Sequence, residues 1–154
     1  MAFKVRAFTE SDAKEVAGWK YEPPYDIYDF GGWKKALAEG SGLTRPELRE
    51  REFYALEEDG HFAGFFRFMP KEDHIMLAVG LRPGLCGRGR GGELLALARE
   101  TWAGRYPGWP LRLEVRTFNQ RARKSYEKAG FRILEEYERT TPSGKGDFFL
   151  MELG

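Results

Sequence analysis

The sequence predicts an α+β fold, a mixed, mostly antiparallel central sheet flanked by helices. Three observations carry this expectation. Two strand-like runs meet at Asp59-Gly60, a dipeptide suited to a type I′ hairpin turn. The middle of the chain runs strand, glycine-rich loop, amphipathic helix, strand, helix, which requires one parallel crossover. The last third reads as a closing hairpin.

Taken in order, Phe3 to Phe8 alternates apolar and polar residues, as a strand with one buried face does. Thr9 is an N-cap with Asp12 at the N3 position, and Ala13, Val16 and Ala17 supply one apolar helix face. Trp19 to Tyr28 cannot continue as a helix across Pro23-Pro24 and reads as an aromatic loop. Trp33 to Glu39 is a short helix stopped at Gly40, and Pro46 to Arg51 adds another turn. Phe53 to Glu58 and Phe62 to Met69 are the hairpin strands, and Ile75 to Leu81 is a third strand ending before Pro83-Gly84. After the glycines of Gly87 to Gly92, Leu94, Leu95, Ala98 and Trp102 recur at helical spacing until Pro107 to Pro110. Leu111 to Val115 is a strand, Asn119 to Ala129 a helix stopped at Gly130, and Phe131 to Arg139 pairs with Asp147 to Leu153 around Pro142 to Gly146.

At 154 residues the chain is expected to form one domain, 1–154. Lys and Arg total 25 against 24 Asp and Glu, a net charge of +1, which argues against a dedicated nucleic-acid binder. Cys86 is the single cysteine, and His61 and His74 are the two histidines, so no disulfide or Cys/His metal cluster is expected. The first residues lack the apolar stretch of a signal peptide, and no run reaches the length of a membrane span. A cytoplasmic protein with no membrane partner, monomeric or homodimeric, is the expectation.

Gly87-Arg88-Gly89-Arg90-Gly91-Gly92 lies between an apolar strand and a helix. Glycines there let the backbone approach an anion, free N–H groups point outward, and the helix dipole favours negative charge. The same residues satisfy G-x-G-x-x-G, with Glu114 at a strand end 22 residues beyond Gly92, so a dinucleotide-binding oxidoreductase is one alternative. Against it, the motif falls mid-chain, after several strands. No Gly-Lys-Ser/Thr follows, which excludes a P-loop.

Two blocks, Val79 to Gly91 and Leu113 to Phe131, resemble the GCN5-related N-acetyltransferase family. The first is similar to that family's strand followed by a Gln/Arg-x-x-Gly-x-Gly/Ala pyrophosphate loop, with Cys86 standing where Gln or Arg is usual. The second is similar to its strand-and-helix block ending Tyr-x-x-x-Gly-Phe, here Tyr126 to Phe131. The resemblance implies an acetyl-CoA-dependent N-acetyltransferase. Its cofactor-binding residues would be Val79, Leu81, Gly87, Arg88, Gly89, Arg90, Gly91, Gly92, Asn119 and Tyr126. Backbone near Val79 to Leu81 would align the pantetheine arm on a bulged strand.

An amine must be neutral to attack a thioester, so a base helps at neutral pH. The resemblance implies Glu114 as that base and Tyr126, twelve residues on, as the acid for the leaving thiolate. The competing reading makes Glu114 a sheet-surface partner of Arg112 or Arg116 and Tyr126 a half-buried aromatic beside Ala122 and Ala129. Leu111, Leu113 and Val115 form one strand face, which leaves Glu114 on the other. The resemblance implies that the aromatic loop, Tyr21, Tyr25 and Tyr28 with Asp26 and Asp29, lines the acceptor pocket, with Tyr25 and Tyr28 as its contacts; the competing reading makes it a rigid lid packed on the core. The acceptor is a small-molecule amine or a protein or peptide amine. A catalytically inactive acyl-CoA-binding regulatory module is the other alternative.

Overall fold

The computed structural model describes residues 2–154. It divides into two compact units, one comprising the chain up to Arg67 with Val79–Cys86, the other Phe68–Ala78 with Gly87–Gly154.

The first unit opens with β1 (Lys4–Ala7) and α1 (Glu10–Gly18). Thr9 Oγ1 accepts from Asp12 N at 3.1 Å while Thr9 N donates to Asp12 Oδ2 at 2.9 Å, the reciprocal capping box that the sequence predicts. The aromatic segment is a loop with one 3₁₀ turn, Tyr25–Tyr28. Two short helices follow, α2 (Trp33–Ala38) and α3 (Pro46–Glu52). Strands β2 (Phe53–Glu58) and β3 (His61–Pro70) turn at Asp59 (φ 51°) and Gly60 (φ 79°), the two positive dihedrals of a type I′ turn. The core of this unit is largely aromatic. Phe8 stacks on Phe53 at 4.8 Å and Trp19 on Phe62 at 5.6 Å, with Val16, Ala17 and Leu43 buried around them. Each such ring pair adds about 0.5–1.5 kcal/mol beyond area burial.

The strand β4 (Ile75–Leu81) contributes its first residues to the second unit, followed there by α4 (Gly91–Arg105), β5 (Leu111–Arg116), α5 (Gln120–Lys128), β6 (Phe131–Thr141) and β7 (Gly144–Leu153). Leu94, Leu95, Ala98, Leu111, Leu113 and Val115 are buried here, as the helix and strand patterns predict, Trp102 is only half-buried, and Met151 of β7 joins them. Two boundaries differ from expectation. The helix α4 begins at Gly91, so Gly91 and Gly92 form its first turn rather than a loop. The last hairpin is tighter than Pro142 to Gly146, because Gly144 adopts φ 108° and reverses the chain within two residues.

Strand neighbours along the sheet run β1-β2-β3-β4-β5-β7-β6. The β1–β2, β2–β3, β5–β7 and β6–β7 pairs are antiparallel. The parallel β4–β5 pairing is confined to Ile75↔Leu111 and Met76↔Arg112. From Leu113 to Arg116, β5 pairs with β7 through Met151, Leu150, Phe149 and Phe148. This is the expected mixed, mostly antiparallel sheet with helices. No helix among the described residues is long and apolar enough to cross a membrane.

Candidate active site

In the second unit, the loop before α4 is built by two left-handed glycines, Gly87 (φ 73°) and Gly89 (φ 75°). A side chain is strained in that region, and a β-branched one most of all. Alternating left- and right-handed backbone turns successive N–H groups toward one side, the geometry that cradles anions. Arg90, the N-cap residue of α4, provides no side-chain cap. The first-turn N–H groups of α4 are thus not covered by their own N-cap side chain, and the positive end of the helix dipole lies at the loop. Arg88 is exposed. Arg90 is turned onto Glu93 at 3.0 Å, which ties its guanidinium to the first turn of the helix.

Two residues that the sequence reading did not single out reach this loop from α5. A Cβ at Gly87 would stand 3.2 Å from Arg121 Nη1, which places that guanidinium beside the loop. A Cβ at Gly91 would stand 2.9 Å from Ser125 Oγ, so glycine there lets α4 begin close against α5. The signal for both was their spacing on one face of α5, four residues apart, but only the packing of α5 on α4 gives that face a neighbour. Together the left-handed glycines, the open helix N-terminus and Arg121 suit a pyrophosphate.

Asn119 caps α5 as the sequence suggests: its Oδ1 accepts from Ala122 N at 3.1 Å, and the residue is buried. Tyr126 is half-buried on α5, its ring edge-on to Phe131 at 6.2 Å.

Glu114 lies on the polar face of β5, opposite Leu150. Its carboxylate is engaged from β6 and not by the expected strand neighbours. Tyr137 Oη donates to Oε2, and Arg139 donates from Nε to Oε2 at 3.1 Å and from Nη2 to Oε1 at 2.9 Å. Arg112 is drawn instead to Glu152, its register partner on β7, at 2.8 Å. Arg116 rests over Phe148 at 4.6 Å. The pairing with Arg112 or Arg116 is thus replaced by contacts two strands away, because long side chains on one sheet face reach past the intervening strand at Leu150 and Phe148. Burial, and after it the hydrogen bond to Glu114, pushes the Tyr137 hydroxyl well above its ordinary pKa, so it stays a donor at neutral pH. The helix α5 covers the opposite face: its Arg123 lies 6.0 Å over Phe149, whose register partner is Val115. Glu114 and Tyr126 therefore belong to opposite sides of the β5 ladder.

In the first unit, Tyr28 is exposed and Tyr25 half-buried in the 3₁₀ turn. Tyr21 pins this loop, its hydroxyl donating to Leu81 O at 2.9 Å while its N–H donates to Asp29 Oδ1 at 3.0 Å. Burial raises the Tyr21 pKa strongly. Val79 and Leu81 sit at the end of β4. Gly64 and Gly80 let β3 and β4 come close there, since a Cβ at Gly64 would stand 2.6 Å from Gly80 O. Cys86 follows the turn Pro83–Leu85, its thiol beside the Leu81 and Arg82 carbonyls at 3.8 and 3.7 Å.

Comparisons with known proteins agree with this architecture. The chain covers 99% of its own length and 95% of a spermidine N-acetyltransferase SpeG chimera from Vibrio cholerae and hSSAT, at 16% identity and a TM-score of 0.73. It matches the ribosomal-protein-S18-alanine N-acetyltransferase from Escherichia coli at 21% identity and a TM-score of 0.69, over 98% of this chain and 92% of that one. It matches AAC(6')-Ib in complex with ribostamycin and coenzyme A at 20% identity and a TM-score of 0.71, over 97% and 93%. These likenesses show the fold. A search of curated proteins finds no match. The family described as Acetyltransferase (GNAT) domain matches residues 49–133, which hold the glycine loop, Glu114, Asn119 and Tyr126. With more than half of its length matched to that family, the chain belongs to the GCN5-related N-acetyltransferases and is an acetyl-CoA-dependent N-acetyltransferase.

Proposed function

We propose that the protein transfers the acetyl group of acetyl-CoA directly to a primary amine in a ternary complex, with Glu114 as base from the polar face of β5 and Tyr126 as acid from the face that α5 covers, the two meeting the thioester from opposite sides of the strand. The observation that carries this reading is the loop before α4, where left-handed Gly87 and Gly89 open onto a helix N-terminus that its own N-cap side chain leaves uncovered. Gly87, Arg88, Gly89, Gly91 and Gly92 hold the pyrophosphate chiefly through backbone N–H groups, with Arg121 added beside them. Arg90 acts at a distance, since Glu93 holds it. Asn119 shapes the α5 end of the site through its cap. Val79 and Leu81 toward the pantetheine arm, and Tyr25 and Tyr28 toward the acceptor, are proposed on the family resemblance.

The chemistry follows from the groups present. Glu114 takes a proton from the acceptor ammonium. Its carboxylate has about four lone-pair sites. Tyr137 and Arg139 fill three of them, so one remains to receive a proton. The neutral nitrogen forms its bond to the thioester carbonyl carbon as the carbon–sulfur bond breaks, and it releases its second proton to solvent. Tyr126 protonates the departing thiolate, and the proton held on Glu114 returns through solvent to restore the phenol. Proteins of this fold named for spermidine and for an alanine of ribosomal protein S18, and AAC(6')-Ib in complex with ribostamycin and coenzyme A, support an amine acceptor. We further propose that 1–154 works as one N-acetyltransferase domain in the cytoplasm, as a monomer or homodimer, without nucleic acid.

The test is an acceptor screen with acetyl-CoA, following free thiol. The expected result is thiol release that requires an amine, with one acetylated product per thiol. Coenzyme A binding without turnover of any amine would favour a regulatory module. NAD binding in place of coenzyme A binding would favour the oxidoreductase.

A further inference from the structure

Among the described residues, the charges on the polar face of β5, β7 and β6 pair off except Arg116, which is buried, and Glu135, which is exposed. Arg112 meets Glu152, and Arg139 meets Glu114. Arg116 is only 7% exposed, yet among the described residues no carboxylate stands within ion-pair distance of it. Its guanidinium donates to Thr141 Oγ1 at 3.2 Å and lies over the Phe148 ring. The site is built to hold it. Thr141 Oγ1 is itself fixed at the hairpin, donating to Gly144 O at 2.9 Å and accepting from Ser143 N at 3.1 Å. Gly146 leaves the space the guanidinium fills, since a Cβ there would stand 2.7 Å from Arg116 Cζ. A buried charge is ordinarily paired, because removing it from water without a counter-charge is unfavourable. The partner missing from this chain is an anion.

Arg139 says where that anion arrives. Its guanidinium also lies over Phe148, at 4.3 Å, while its side chain remains 45% exposed. Two guanidinium groups thus share one ring, one buried and one half-exposed, and only the half-exposed one is paired with a carboxylate. Arg139 in turn touches Glu114, the proposed base. We propose that Arg116 and Arg139 receive a carboxylate of the acceptor, so that the acceptor is an amino acid whose amine and carboxylate lie a few bonds apart. The short span follows from the contacts: the amine meets Glu114, the carboxylate meets the guanidinium beside it, and one arginine head separates them. Planar carboxylate and guanidinium match in paired hydrogen bonds, which gives orientation as well as affinity. A polyamine has nothing to offer Arg116 and adds a positive charge beside it.

The inference rests on the reading of Glu114 as base, and the experiment separates the two. Calorimetry with the coenzyme A complex compares a panel of N-acetyl amino acids with the corresponding N-acetyl amino acid amides. The expected result is that the carboxylate member of at least one pair binds tenfold or more tightly, and that Arg139→Gln, a change at a half-exposed position, removes most of that difference. Arg116→Lys keeps a charge but loses the planar fork and should reduce the difference too; its circular dichroism reports whether the buried site still folds. Glu114→Gln should lower kcat and leave the carboxylate preference in place. A panel in which no carboxylate member binds, or in which acids and amides bind alike, overturns the proposal. So does an Arg139→Gln variant that keeps the full preference. If Glu114→Gln keeps full kcat while the preference holds, the base assignment fails and the carboxylate site stands.

Discussion

At Glu114 the sequence and the structure part in an instructive way. Strand alternation alone placed the carboxylate on the polar face of β5, and it is there. Its partners were not legible, because Tyr137 and Arg139 reach it from β6, beyond β7, and that register exists only after the hairpin has folded. The same holds for Arg121 and Ser125 beside the glycine loop. The residue-scale prediction concerns the proton path. Glu114→Gln should lower kcat by about 10²–10⁴-fold. The loss should be greatest at low pH, where the amine is most protonated, and should shrink as pH rises. Tyr126→Phe keeps the ring against Phe131 and removes only the hydroxyl, so kcat should fall with no rescue at high pH. Stopped-flow measurement of the chemical step across pH checks both. Full activity in Tyr126→Phe with chemistry rate-limiting would assign the acid elsewhere, and a pH-independent Glu114→Gln would leave Glu114 a partner of Arg139 alone.

At the scale of elements, the strands and helices were legible wherever pattern and punctuation agreed. Thr9 with Asp12, Asp59-Gly60, and Asn119 with Gly130 each fixed a boundary through local chemistry. The sequence places Gly91 and Gly92 in the loop because glycine is a poor helix former, whereas α4 begins at Gly91, where the absence of a Cβ leaves room for Ser125. The capping box at α1 offers a test at this level. Thr9→Ala should destabilise the protein by about 1 kcal/mol, a shift in Tm of roughly 2–4 °C for a chain of this size. Asp12 is buried, which by itself raises its pKa and is the largest single influence. Hydrogen bonds from Arg6, at 2.6 and 3.1 Å, and from Thr9 outweigh it, and the net direction is down. A carboxyl depressed in the folded state adds stability above its unfolded pKa of about 3.9 and loses it as pH falls through the folded value. Asp12→Asn should therefore flatten the decline of Tm below about pH 4. An unchanged acid slope would mean that other carboxylates carry it.

For the molecule as a whole, the near balance of charge, +1 over 154 residues, told little about the acceptor. The informative charge was local: one buried arginine without a counter-ion, visible only when β5, β7 and β6 lie side by side. The family and the fold were legible in two sequence blocks because those blocks carry backbone requirements, left-handed glycines before a helix and a capped helix after a strand, that few residue types satisfy. The acceptor side was less legible, since it depends on which long side chains meet across a sheet. The central claim is that the loop before α4 binds acetyl-CoA through its backbone. Calorimetric titration of acetyl-CoA into the wild type and Gly89→Val tests it most directly, because a β-branched residue cannot adopt φ 75° without strain and so displaces the N–H groups that hold the pyrophosphate. The account predicts one site in the wild type and a loss of affinity of about a hundredfold or more in Gly89→Val, roughly 2.7 kcal/mol, with the circular dichroism spectrum unchanged. Equal affinity in the two proteins would contradict it.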